Sequence, residues 1–148
     1  MRVAIIEQNK ETQTEIRRSL KGRRRSKGGV EPSWEIDFYI DPENFFNKNS
    51  SEYDIVMVDY ETGTEKYCFD FIHRIYDRTD AELCILTSTT DSKTLGNLLK
   101  DEHINCILDK NDLDIIVEHL EYSSSRCKIK NHLMNESAIY SEVANEMF

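Results

Sequence analysis

The stretch Tyr53-Asp54-Ile55-Val56-Met57-Val58-Asp59 decides the fold of this chain. Ile55 to Val58 are apolar without alternation, and the run stops on a carboxylate. A short continuous apolar run of this kind is a strand buried on both faces, which is the position of a central strand in a parallel sheet. Two runs on its C-terminal side repeat the pattern. Glu82-Leu83-Cys84-Ile85-Leu86 runs into Thr87, and Ile104-Asn105-Cys106-Ile107-Leu108 runs into Asp109-Lys110. On its N-terminal side Val3-Ala4-Ile5-Ile6 runs into Glu7-Gln8, and Trp34 to Ile40 alternates as a half-exposed strand.

The segments between these strands carry helical patterns. Asn9 is placed to cap a helix reaching about Lys21, with Ile16 and Leu20 on one face and Gly22 as its stop. Asp41-Pro42 opens a short helix through Phe45-Phe46, proline being suited to a first helical position. Cys68, Phe71, Ile72, Ile75 and Tyr76 recur at the spacing of one apolar helix face. Asp91 or Ser92 caps a helix bearing Leu95, Leu98 and Leu99, and Leu113, Ile116, Val117 and Leu120 mark a last one. Strands alternating with helices predict right-handed crossovers and an α/β, doubly wound, five-stranded parallel sheet. In such a sheet ligands bind at the carboxyl ends of the strands. A carboxylate (Asp59), a hydroxyl (Thr87) and an ammonium (Lys110) are expected there together, with Glu7 and Gln8 beside them.

Charge is divided unevenly along the chain. Residues 1–28 hold nine Lys/Arg against three Asp/Glu, while residues 29–148 hold 10 against 25. The acidic body repels nucleic acid, and no aromatic residues interleave with Arg17, Arg18, Lys21, Arg23, Arg24, Arg25 and Lys27, so base stacking has no support. The basic cluster reads as a protein-facing or merely solvated loop. None of the four cysteines, Cys68, Cys84, Cys106 and Cys127, forms a C-x-x-C pair, and Cys84 and Cys106 sit inside strand patterns as small hydrophobes. His103-x-x-Cys106 has no matching half-site downstream at metal-ligand spacing. With no apolar run of membrane-spanning length and no signal-peptide layout, the chain reads as soluble and cytoplasmic.

The ordered set Asp59, Thr87 with Ser88 after it, and Lys110, each at the end of its strand, resembles the receiver domain of bacterial response regulators over residues 1–122. The resemblance implies a CheY-like (βα)5 fold and a place in two-component phosphorelay signalling rather than a turnover enzyme. It implies that Asp59 accepts a phosphoryl group from a histidine kinase or phosphotransfer protein, that Thr87 and Lys110 contact that group, and that Mg²⁺ sits among Glu7, Gln8 and Asp59. Gln8 replaces an acidic ligand of the family by a neutral amide, so Mg²⁺ binding is expected to be weak or absent, with Glu61 as a compensating carboxylate. Other departures are Thr62-Gly63 after the acceptor, Asn111 after the lysine, and Ile107 at the aromatic switch position. They suggest an alternative, a phosphorylation-independent pseudo-receiver that acts as a protein-interaction module. A small phosphohydrolase using Asp59 as nucleophile is a remote third reading, because Tyr60-Glu61 stands where such enzymes keep a second Asp.

Residues 22–33 lengthen a normally short connection into a basic loop. Residues 123–148 follow as a serine hinge, Ser123-Ser124-Ser125, and an amphipathic helix carrying Tyr140, Val143, Ala144 and Met147. Partners expected are a downstream protein or a second copy of the chain; neither nucleic acid nor membrane is expected.

Overall fold

A computed structural model describes residues 1–26, 34–47, 52–61 and 65–124. The core of the basic loop, Thr62-Gly63, the end of the serine hinge and the expected tail helix lie outside the described residues. Five strands, β1 (Arg2–Ile6), β2 (Glu35–Tyr39), β3 (Ile55–Asp59), β4 (Glu82–Thr87) and β5 (Cys106–Asp109), form one sheet in the order β2-β1-β3-β4-β5. Every pairing is parallel, with Val56 opposite Ala4 on one side and Leu83 on the other. The helices between them are α1 (Lys10–Ser26), α2 (Pro42–Asn47), α3 (Glu65–Arg78) and α4 (Ser92–Lys100). A further helix, α5, covers 113–124.

The continuous apolar strands are central, as their composition requires. Every residue of β3 is buried, and β4 is buried from Leu83 to Thr87. One face of the sheet presents Ala4, Ile6, Val56, Val58, Leu83 and Ile85 to Phe45 of α2, to Cys68, Phe71, Ile72 and Ile75 of α3 and to Leu98 of α4. The opposite parity, Val3, Ile5, Ile55, Met57, Cys84 and Leu86, is equally buried, as are Ile16 and Leu20 of α1.

The caps follow the local chemistry. Asn9 Oδ1 accepts from the Glu11 and Thr12 backbone N–H groups at 2.8 and 3.3 Å, Asp41 Oδ1 accepts from Asn44 N at 2.8 Å, and Asp91 Oδ2 accepts from Thr94 N at 3.0 Å. Each satisfies a helix N–H that has no partner within its own helix.

Two expectations give way. Gly22 does not stop α1, which continues to Ser26. Its position has open space around it rather than the left-handed turn of a C-cap, and the three arginines after it are good helix formers. Ser123 and Ser124, read as the start of a hinge, are helical instead. The Ser123 hydroxyl lies 3.4 Å from Nε2 of His119, one turn earlier. The chain separates into two compact units, Met1–Val117 and Glu118–Phe148. Among the described residues no helix is long and apolar enough to cross a membrane.

Candidate functional site

The site is built by four strand ends of the first unit. Because β1, β3, β4 and β5 run parallel, the residues that leave them emerge on one edge. Asp59 closes β3, Thr87 closes β4, Glu7 follows β1 and Lys110 follows β5. Backbone bonds knit these exits together: Tyr60 N donates to Leu86 O at 2.8 Å, and Lys110 N donates to Thr87 O at 3.1 Å. Asp59 and Thr87 are each only 3% exposed and Glu7 is fully buried. Charged and polar groups are thus held at the rim of an apolar sheet, where an electrostatic contact is worth more than in water.

Lys110 Nζ reaches Asp59 Oδ1 at 3.3 Å and Glu61 Oε2 at 3.4 Å. The other Glu61 oxygen, Oε1, accepts three hydrogen bonds: from Thr87 Oγ1 at 3.1 Å, from Ser88 N at 2.9 Å and from Ser88 Oγ at 3.0 Å. Glu61 N in turn donates to Asp59 Oδ1 at 3.1 Å. The three strand-end residues foreseen in the sequence therefore do converge, and a fourth side chain sits among them. The Glu61 carboxylate is seated on Thr87, Ser88 and Lys110. Its spacing two residues after Asp59 was the available signal, but which way a carboxylate turns depends on donors from β4 and β5 that are distant in sequence.

The acid side of the site is asymmetric. Glu7 Oε1 accepts from Asn9 N at 3.0 Å, while Glu7 Oε2 is buried and has no hydrogen-bond partner among the described residues. Gln8, next in the chain, is exposed. Burial pushes the Asp59 carboxyl up to about 7; the neighbouring Glu61 and Glu7 carboxylates push the same way, and Lys110 opposes them. Burial acts to raise Glu61 too, but its hydrogen bonds with Asp59 and Ser88, and the Lys110 charge, hold it at about 2. Lys110 stays protonated: burial would lower it, and the charges of Asp59, Glu7 and Glu61 outweigh that and raise it. At neutral pH Asp59 is therefore only partly ionised while Glu61 carries the negative charge. The arrangement is an anion pocket, formed by a hydroxyl, a backbone N–H and an ammonium, with a buried carboxyl beside it.

No protein-family model matches the chain, and no curated protein matches it. Solved structures do. A signal receiver domain of an HD domain-containing protein from Pseudomonas fluorescens Pf-5 aligns with TM-score 0.65 and 13% identity over 88% of this chain and 91% of that one. A response regulator from Thermotoga maritima aligns with TM-score 0.64 and 18% identity over 84% and 97%. The receiver domain of Francisella response regulator 1452 aligns with TM-score 0.63 and 15% identity over 85% and 98%. At such identities the likeness is one of backbone, and it agrees with the strand order and the strand-end residues: the chain has the CheY-like fold of the response-regulator receiver domains.

Proposed function

We propose that the chain is a receiver module of two-component signal transduction, with Asp59 as its phosphoacceptor. The observation that carries this is the pocket of Thr87, Ser88 and Lys110, which already holds an anionic group beside Asp59. A phosphoryl group is a larger anion with the same needs. The Asp59 carboxylate would attack phosphorus, the P–N bond of a donor phosphohistidine would break, and its electron pair would stay on the imidazole. Thr87 Oγ1, Ser88 N and Lys110 Nζ would take the phosphoryl oxygens once Glu61 swings out.

The residues around the unpartnered Glu7 Oε2 fit a hard cation. Glu7 and Asp59 would hold Mg²⁺, and Gln8 would offer at most a neutral carbonyl, so the affinity would be low. When bound, the ion would offset charge on the phosphoryl oxygens. The natural donors would be a histidine kinase or phosphotransfer protein, and the readout a downstream protein.

A specific observation favours a second reading. The Glu61 carboxylate occupies the donors that a phosphoryl group would use, and Asp59, raised to about 7, is only partly in its nucleophilic carboxylate form at neutral pH. Such a site would hold the output surface in one state without phosphorylation.

Intact mass after incubation with acetyl phosphate, with and without Mg²⁺, separates the two. The relay reading expects one phosphoryl group on the wild type, none on Asp59→Asn, and more on Gln8→Asp. The second expects none on the wild type and labelling only once Glu61→Ala has emptied the pocket. No label on any variant would remove Asp59 as an acceptor.

A further inference from the structure

At the other edge of the sheet, below the amino ends of the strands, three side chains with metal-ligand chemistry meet. His73 comes from α3, Asp101 is the C-cap of α4, and His103 lies between α4 and β5. His73 Nε2 is 3.1 Å from Asp101 Oδ2, and His103 Nδ1 is 3.0 Å from Asp101 Oδ1. One ligand atom from each residue lies within 4.8 Å of the other two. We propose that His73, Asp101 and His103 form a binding site for a divalent transition cation of the zinc class, distinct from the Asp59 pocket.

Four features support this. The donor set is two imidazoles and one carboxylate, which suits Zn²⁺, Ni²⁺ or Cu²⁺ and is poor for Mg²⁺. The spacing is close to what coordination needs. With Zn–N and Zn–O bonds of about 2.0–2.2 Å, the edge of a ligand tetrahedron is about 3.3 Å. The two N···O separations, each to its own carboxylate oxygen, are within a few tenths of an ångström of that, and a cation that replaces the bridging protons has only to draw together ligand atoms already within 4.8 Å of one another. The carboxylate is divided between the two imidazoles, with Oδ2 facing His73 and Oδ1 facing His103.

The site is also ordered by its surroundings. The Asp101 carboxylate accepts from His103 N at 2.9 Å, and the His103 ring lies 4.1 Å from the Tyr76 ring and 4.7 Å from the His73 ring, centroid to centroid. Three protein ligands leave a position open to water or to a residue of another molecule. His103 had looked like half of a motif with Cys106; its partners are instead a helix residue 30 positions upstream and the cap two positions before it.

A bound cation would tie α3 to the loop that sets β5. Titration of the full chain with Zn²⁺, in excess Mg²⁺ to fill hard oxygen sites, tests this by calorimetry and thermal unfolding. His73 is exposed on a helix, so His73→Ala leaves the fold intact, which far-UV circular dichroism verifies. One Zn²⁺ should bind and raise Tm, as any ligand of the native state does. His73→Ala and His103→Ala should each weaken binding at least about tenfold and cancel the Tm rise, while His119→Ala and Cys127→Ser should change neither. Co²⁺ should give d–d bands without a thiolate charge-transfer band, and the His73→Ala change should remove them. Zn²⁺ affinity unaltered by His73→Ala and His103→Ala, a thiolate band with Co²⁺, or no Zn²⁺ uptake by the wild type would each overturn the proposal.

Discussion

Asp59 and Glu61 sit two residues apart and share one environment, yet they settle at opposite ends of the carboxyl range. Glu61 takes the donors of Thr87 and Ser88 and shares Lys110, whereas Asp59 accepts from Glu61 N and the shared Lys110 and is the harder of the two to ionise. A pH dependence follows. The Asp59 carboxyl rises from its ordinary 3.8 to about 7 in the folded chain. Between those values the folded state holds a proton that the unfolded state has lost, so stability falls as pH rises through this window. Glu61 works the other way at lower pH: its contribution is present above its ordinary 4.5 and is lost as pH falls toward about 2. Asp59→Asn is neutral throughout. It should therefore be more stable than the wild type above about pH 7, by on the order of 1–3 kcal/mol, the scale for a poorly compensated buried polar group. That advantage should shrink as pH falls to about 4. Thermal unfolding of both proteins across this range checks it, and a gap that does not change with pH would show that Asp59 is ionised throughout.

At the scale of elements, α1 shows how local signals and context divide the work. Its start is decided by Asn9, whose side chain takes two backbone N–H groups. Its end is not decided by Gly22, which sits inside the helix; apart from its chain neighbours and the helix's own backbone, nothing among the described residues comes within 4 Å of where a Cβ would lie. Gly22→Ala should therefore stabilise the protein by roughly 0.5–1 kcal/mol through helix propensity alone. Removing the cap should cost more: Asn9→Ala is expected to lose about 0.5–2 kcal/mol. Urea unfolding of the two variants, with unchanged slope, measures both. A destabilised Gly22→Ala would mean that α1 does end near that glycine.

For the whole molecule, both faces of the sheet are buried, and α2, α3 and α4 pack with one of them into a single apolar cluster. Phe45 is the hinge-pin of that packing. It is fully buried and lies edge-on to Tyr39 at 5.4 Å, Phe46 at 5.4 Å and Phe71 at 6.1 Å, so it joins the six-residue α2 to β2 and α3. Phe45→Ala should cost about 3–5 kcal/mol by lost burial and the cavity left behind. Leu99, 74% exposed on α4, should tolerate Ala within about 0.5 kcal/mol. Chemical denaturation of the two variants compares them directly. Equal effects would place the core elsewhere.

The apolar runs ending on Asp59, Thr87 and Asp109-Lys110 were enough to determine a parallel sheet and the edge on which those residues meet. The reason is local: a strand buried on both faces must be continuously apolar, and polar residues can appear only where it ends. The caps at Asn9, Asp41 and Asp91 were legible for the same kind of reason, since each bonds N–H groups within three residues of itself. Other features waited for the tertiary structure. Glu61 turns to Ser88 and Lys110, Glu7 Oε2 is left without a partner among the described residues, and His73 meets Asp101 and His103. Each depends on groups that stand far apart along the chain and become neighbours only when parallel crossovers stack the elements. The direction of a side chain is a contest among nearby donors and charges, and the sequence lists the contestants without saying which of them stand together.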